Sequence, residues 1–217
     1  MKIGILGSGD VGKSFARAFS ALGNDVKIGS RTPEKLADFV AQAGERVTAS
    51  TFKETARFGD VVVIATLGTG TEEAIKLADP ASFKGKVVID ATNPLEFSPG
   101  GPPKLAIGNQ DSLGERVQRW VRDGRVVKAF NTVGNPLFFK PKLQGGPPDM
   151  FICGNDPEAK KLVSQICKDF GWGVIDIGGT NWYALPKVLC ARARMVSRLF
   201  SWIRIVEFAS SSRVIEL

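Results

Sequence analysis

The chain has 217 residues, a formal net charge of +7 and no histidine. Its 43% hydrophobic and 24% charged residues are an ordinary globular composition, which excludes a disordered or fibrous protein. The missing histidine excludes a Ser-His-Asp triad, a Cys-His nucleophile and a His-bearing zinc site, so any acid–base step falls to Asp, Glu, Lys, Cys, water or the single Tyr183.

Taken in chain order, short apolar runs alternate with segments of helical periodicity. Lys2 to Gly7 reads as a buried strand ending in glycine. From Asp10 to Leu22, the apolar Val11, Phe15, Ala18, Phe19 and Leu22 recur at helical spacing, and Gly23 stops the helix. Asp25 to Gly29 is a second strand. Thr32 as N-cap, with Pro33 at the first helical position, opens a helix to about Ala43. Thr51 and Glu54 form a capping box for a short helix ending near Phe58. Asp60 to Leu67 is almost wholly apolar and β-branched, as in a strand buried on both faces of a parallel sheet. A second capping box, Thr69 with Glu72, opens the next helix. Lys86 to Ala91 is another buried strand, followed by a Pro/Gly-rich loop from Asn93 to about Gln110.

Ser112 and Glu115 cap a helix through Trp120, and Arg125 to Phe130 is a further strand. A second long loop runs from Asn131 to Pro148, before a short strand at Met150 to Cys153. Asp156-Pro157 starts a helix that Gly171 ends, Val174 to Ile177 is the last strand, and a long helix spans about Lys187 to Ala209. This alternation predicts an α/β fold: a doubly wound, mostly parallel sheet with a dinucleotide-binding core over residues 1–130 and a small C-terminal α/β extension over 131–217. In such sheets ligands sit at the carboxyl ends of the strands, which the loops after Ala91 and Phe130 leave.

Gly7-Ser8-Gly9-Asp10-Val11-Gly12 is a GxGxxG turn in the context that makes it informative, after the first strand and opening the first helix. Gly7 permits the tight turn, Gly9 lets the backbone approach a pyrophosphate, and Gly12 lets helix and strand pack closely. The helix N-terminus supplies N–H groups and a positive dipole end to a phosphate. The end of the second strand selects the cofactor. An NAD site places an acid there; this chain has Ser30 and Arg31, with Lys35 one helical turn on. A guanidinium and a hydroxyl suit a ribose 2′-phosphate, so the expected cofactor is NADP.

Other features are weaker. Cys153, Cys167 and Cys190 form no CxxC pair and read as buried thiols in a reducing compartment. No metal-ligating cluster is present in the pattern. The N-terminus reads as no signal peptide, and no stretch approaches a membrane span, so the expected location is the cytoplasm, with no membrane partner. Six Lys/Arg and two Glu lie between Lys187 and Leu217, more than half of the net charge. No nucleic-acid signature accompanies them, so nucleic acid is not an expected partner and a solvated helix face is the simpler reading. Tyr183 and Lys187 have the spacing of a short-chain dehydrogenase pair, but Pro186 between them breaks such a helix.

The ordered set GILGSGDVG, IGSRTPEK, VVIDATNP, VVKAFNT and ICGNDPEAKK, over roughly residues 2 to 180, resembles the NADPH-dependent coenzyme F420 reductase family, and is also similar to the NADPH domain of the STEAP ferric reductases. The resemblance implies a Rossmann-type fold and hydride exchange between NADP and an 8-hydroxy-5-deazaflavin. It implies that Gly7 to Gly12 hold the pyrophosphate and that Ser30, Arg31 and Lys35 hold the 2′-phosphate. Thr66, Leu67, Asn93 and Pro94 would line the ribose and nicotinamide side, and Asn131, Thr132 and Val133 would border the nicotinamide and second ring. Asn131 departs from the histidine common in the deazaflavin enzymes and matches the ferric reductase branch. After Gly179 the usual Glu-Pro or Glu-Ala step is replaced by Leu185-Pro186-Lys187 and an arginine-studded helix, with Arg192 on its apolar face.

Hydride transfer between stacked rings needs position and shielding more than general acid, so no single catalytic side chain is expected. The partner is a small-molecule hydride acceptor: coenzyme F420, or alternatively a flavin or ferric chelate. A non-catalytic NADP sensor and an imine or hydroxyacid dehydrogenase stay open as other classes, and a homodimer through the terminal helix stays open as an assembly.

Overall fold

The computed structural model describes residues 1–96, 104–107, 111–143 and 145–180. The elements are β1 (Lys2–Leu6), α1 (Asp10–Ala21), β2 (Asp25–Gly29), α2 (Ala37–Ala43), β3 (Val47–Ser50), α3 (Phe52–Phe58), β4 (Val61–Ile64), α4 (Thr71–Ala78) and β5 (Val87–Asp90). A two-residue hairpin of β6 (Leu95–Glu96) and β7 (Lys104–Leu105) follows, then α5 (Leu113–Trp120), β8 (Arg125–Lys128), β9 (Asp149–Gly154), α6 (Pro157–Asp169) and β10 (Gly173–Asp176).

Eight strands form one sheet in the order β10-β9-β8-β5-β4-β1-β2-β3. From β3 to β8 all neighbours are parallel; β9 runs antiparallel to β8, and β10 parallel to β9. The chain builds outward from β1 in both directions, so the strand order reverses between β1 and its two neighbours, β2 and β4. That reversal opens a crevice at the carboxyl ends of β1 and β4.

The central strands are apolar up to their last residues because both faces are covered: β4 and β5 are buried at every residue, including Asp90 at the end of β5. On one face α3, α4 and α5 pack Phe52, Ala56, Ala74, Ile75, Leu113 and Val117 against Leu6, Val62, Ile64, Val88 and Val126. On the other, Phe15 and Phe19 of α1 meet Phe130, Phe138 and Phe170. Ring centroids of Phe15 lie 5.1 Å from Phe130, edge to face, and 4.8 Å from Phe138. These contacts anchor α1, and with it the glycine turn at its start.

Several local expectations are met in detail. Thr51 and Glu54 form the reciprocal capping box of α3, and the Ser112 hydroxyl accepts from the Glu115 N–H at the start of α5. Others differ. The helix expected from Thr32 begins as a 3-10 turn over Pro33–Leu36 before α2, and Thr32 makes no side-chain cap. Thr69 does not cap α4: the chain winds a 3-10 turn over Gly68–Gly70, and Thr71, already helical, donates its hydroxyl to the Leu67 carbonyl at 3.1 Å. β3 was not predicted; its VTAS sequence has no apolar run, because it is an edge strand with one face half exposed. The strand expected over Asp60–Leu67 leaves the sheet after Ile64, where Gly7 of the turn presses against Ala65. The helix over 187–209, Cys190, Tyr183 and Arg192 lie outside the described residues. Among the described residues, no helix is long and apolar enough to cross a membrane and no cluster fit to hold a metal ion occurs.

Candidate functional site

The crevice at the sheet reversal is a cleft of about 560 Å³, and the glycine turn forms its floor. Gly7 has φ +124, a conformation open to glycine, and a Cβ there would stand 2.4 Å from the Ala65 carbonyl. Gly12 is buried one turn into α1, and a Cβ on it would meet the Gly7 oxygen at 2.0 Å. Gly9 is the opposite case: nothing lies within 4 Å of its Cβ position, which opens into the cleft. Gly9 is also the N-cap of α1 and supplies no side-chain acceptor, so the first N–H groups of this 12-residue helix keep their donor capacity. The turn therefore leaves a space that a side chain would fill, faced by donors and by the positive end of the helix dipole. This chemistry fits a phosphate.

Ser8, Asp10 and Val11 complete the floor, and Ser30 and Arg31 form the wall beyond β2. Ser30 is buried, and its hydroxyl oxygen accepts from the Thr32 N–H at 3.2 Å and from the Ser8 hydroxyl at 3.3 Å. A hydroxyl has two lone pairs and one proton, so Ser30 keeps only its proton, and a ligand atom there must accept. Arg31 is exposed at the cleft edge and enters none of the ion pairs among the described residues. Lys35 is exposed on the 3-10 turn and stands outside the cleft wall.

The opposite wall comes from the segment after β4. Thr66 and Thr71 hydroxyls are 2.9 Å apart, and Thr71 donates to the Leu67 carbonyl. The Thr71 proton is thereby used, so Thr66 donates to Thr71 and offers the cleft an acceptor only. Leu67 is 71% exposed at the rim. The helical face Gly70, Glu73, Ala74 and Leu77 continues this wall, together with Thr32, Phe52 and Thr69. That face is absent from the sequence-derived site, although its i, i+3, i+4, i+7 spacing is readable in the sequence.

Asn93, Pro94, Asn131, Thr132 and Val133 are half-buried and do not line this cleft; they follow β5 and β8. The structure joins two of them. Asn93 donates its Nδ2–H to the Asn131 carbonyl at 2.8 Å and accepts from the Asn131 amide at 3.4 Å. The loop after β4 touches this pair, since a Cβ on Gly68 would stand 2.1 Å from the Asn93 carbonyl. Two charged residues that sequence reasoning placed in strands without comment lie beneath: Asp90 and Lys128, an ion pair at 2.9 Å. Charges ending otherwise apolar strands were the available signal. Cys153 and Cys167 are buried, and burial pushes the Cys167 thiol up to about 12.

The family model described as NADP oxidoreductase, coenzyme F420-dependent, matches residues 2–94. The F420-dependent NADP reductase of Methanocaldococcus jannaschii is 32% identical over 192 residues, covering 82% of this chain and 84% of its own. The chain belongs to the F420-dependent NADP reductase family. Membership places it among NADP-dependent oxidoreductases, with the Rossmann-type sheet described above. The crystal structure assigned as an F420-dependent NADP-reductase of an Arthrobacter species superposes with a TM-score of 0.83 at 33% identity, covering 100% of both chains. The rat metalloreductase STEAP3 is 31% identical over 182 residues, but the chain spans only 34% of that protein's length.

Proposed function

We propose that this chain transfers a hydride between NADP and an 8-hydroxy-5-deazaflavin acceptor of the coenzyme F420 type. The observation that carries the NADP half is the Ser30 hydroxyl, whose lone pairs are both engaged and whose proton is left to donate beside the exposed Arg31. No carboxylate directly follows β2, where an NAD site places one for the ribose hydroxyl; a 2′-phosphate matches the Ser30 donor and the Arg31 cation together. Gly7 to Gly12 receive the pyrophosphate, and the Thr66 acceptor suits a ribose hydroxyl. Lys35 adds positive charge near the 2′-phosphate without walling the cleft.

The acceptor half rests on the extent of the likeness. The match accounts for 84% of the archaeal F420-dependent reductase and 34% of the metalloreductase. NADPH, when bound, supplies the hydride. The chain's part is to bind, orient and exclude water, which suits a protein with no histidine. Asn93, Pro94, Asn131, Thr132 and Val133 border the reacting rings. In the Asn93–Asn131 pair each amide keeps donor and acceptor capacity for a carboxamide that no bond among the described residues uses.

Asn131 favours a second reading, because asparagine at this position is the pattern of the ferric reductase branch: a flavin or ferric-chelate reductase using the same NADPH site. One experiment separates them. NADPH oxidation is followed with a deazaflavin, FMN and a ferric chelate in parallel, with NADH as the control donor. Turnover of the deazaflavin with NADPH alone supports the first reading; turnover of only FMN or the chelate supports the second.

A further inference from the structure

Asp90 and Lys128 end β5 and β8 as register partners, and both are buried, Asp90 completely. Their hydrogen bonds converge on one residue. Asp90 Oδ1 accepts from the Thr92 N–H at 2.9 Å and from the Thr92 hydroxyl at 2.6 Å. Lys128 Nζ donates to Asp90 Oδ2 at 2.9 Å and to the Thr92 carbonyl at 2.8 Å. Thr92 is thus held by its N–H, its hydroxyl and its carbonyl. The first turn of α5 closes over the pair: the Cβ position of Gly114 lies 3.5 Å from the Lys128 stem and 3.7 Å from Asp90 Oδ2.

A buried ion pair gives little net stability compared with well-packed apolar residues, so its worth at this place lies in geometry. Thr92 is followed directly by Asn93, and Lys128 stands three residues before Asn131. The charged pair therefore anchors the backbone beside each member of the amide pair. Between Lys128 and Asn131, Phe130 sits at φ +64 and gives its N–H to Met150 Sδ at 3.2 Å. A non-glycine residue held in that region is kept there by its surroundings, so the turn into Asn131 is over-determined.

We propose that Asp90 and Lys128 are positioning residues for the nicotinamide half of the cofactor, fixing the Thr92–Asn93 turn and through it the Asn93–Asn131 pair. The proposal rests on the NADP reading above. It predicts a loss confined to one half of the ligand. The test uses the full chain and compares NADPH with adenosine 2′,5′-bisphosphate, which carries the adenosine and 2′-phosphate but no nicotinamide. Affinities are measured by calorimetry for the wild type and for the double variant D90N/K128M, which removes both charges together.

In the double variant NADPH weakens about tenfold, the equivalent of one or two neutral hydrogen bonds, while the bisphosphate stays within about twofold. Unchanged NADPH binding overturns the proposal. So does an equal loss for both ligands, which marks a general structural role. Should the double variant fail to fold, Thr92→Val, which removes only the hydroxyl bond to Asp90, must show the same one-sided loss at about threefold. A wild type that binds neither ligand overturns the NADP reading itself, and is told apart because the bisphosphate makes no use of the amide pair.

Discussion

Gly9 and Gly12 stand three residues apart in one turn, and the structure gives alanine opposite effects at the two. At Gly12 the new Cβ would lie 2.0 Å from the Gly7 oxygen and 2.9 Å from its carbon. Ordinary contact begins at 3.4 Å, so α1 must withdraw by roughly 1.4 Å at its first turn. The obstacle is backbone, and α1 is pinned further along by Phe15 and Phe19. The cost belongs at the upper end of overpacking, about 3 kcal/mol or more. For a chain of this size that lowers Tm by roughly 6–12 °C.

At Gly9 nothing lies within 4 Å, and φ −76 with ψ −175 is open to alanine. Gly9→Ala loses a little as an N-cap and gains a little from the unfolded chain, so stability stays within about 1 kcal/mol. Its methyl group, however, occupies the approach to the helix N–H groups. Losing one or two charge-assisted hydrogen bonds weakens NADPH by roughly tenfold to ten-thousandfold. Thermal unfolding and NADPH titration on both variants make the test. Gly9→Ala that binds NADPH like wild type refutes the phosphate cradle. Gly12→Ala that melts with wild type refutes the close approach of helix and strand.

Two further predictions follow from single side chains. Arg31→Ala weakens NADPH by roughly tenfold or more while NADH binding changes little, because the exposed guanidinium enters no ion pair among the described residues; an equal loss for both in fluorescence titration contradicts the 2′-phosphate assignment. Cys167, raised to about 12 by burial, stays unmodified by iodoacetamide near pH 8 in the native chain and reacts once unfolded, as read by peptide mass spectrometry. Because the unfolded thiol releases its proton first, at its ordinary value of 9.0, this group also withdraws stability as pH rises above that value.

Much of this was readable in one dimension because its physics is local. A GxGxxG between strand and helix needs no partner to be recognised, and the capping box at Thr51 and the Ser112 cap on the Glu115 N–H are closed within four residues. The β-branched, apolar runs over Val61–Ile64 and residues 87–89 announced a sheet covered on both faces. What the pattern concealed depends on distant contacts. β3 is a strand only because β2 offers it an edge, and nothing in an apolar pattern tells that β9 reverses direction beside β8. Thr69 and Glu72 have capping-box spacing, yet the chain makes a 3-10 turn over Gly68–Gly70, where Gly68 lies close against Asn93 after β5, and the helix starts at Thr71. Asp90 and Lys128 lie 38 residues apart and became a site only when the sheet set them in register. Ser30 and Arg31 were named from type and position alone; the hydrogen bonds from Thr32 and Ser8, which fix Ser30 as a donor, are a finding of the fold.

Hydride transfer is observed most directly by anaerobic mixing of the chain with NADPH and an oxidised 8-hydroxy-5-deazaflavin, following both chromophores. Hydride transfer between the two rings predicts NADPH oxidation and deazaflavin reduction in equal amounts, with NADH leaving the acceptor unchanged. A chain that binds NADPH and the deazaflavin but moves no hydride between them, while reducing FMN or a ferric chelate, contradicts it.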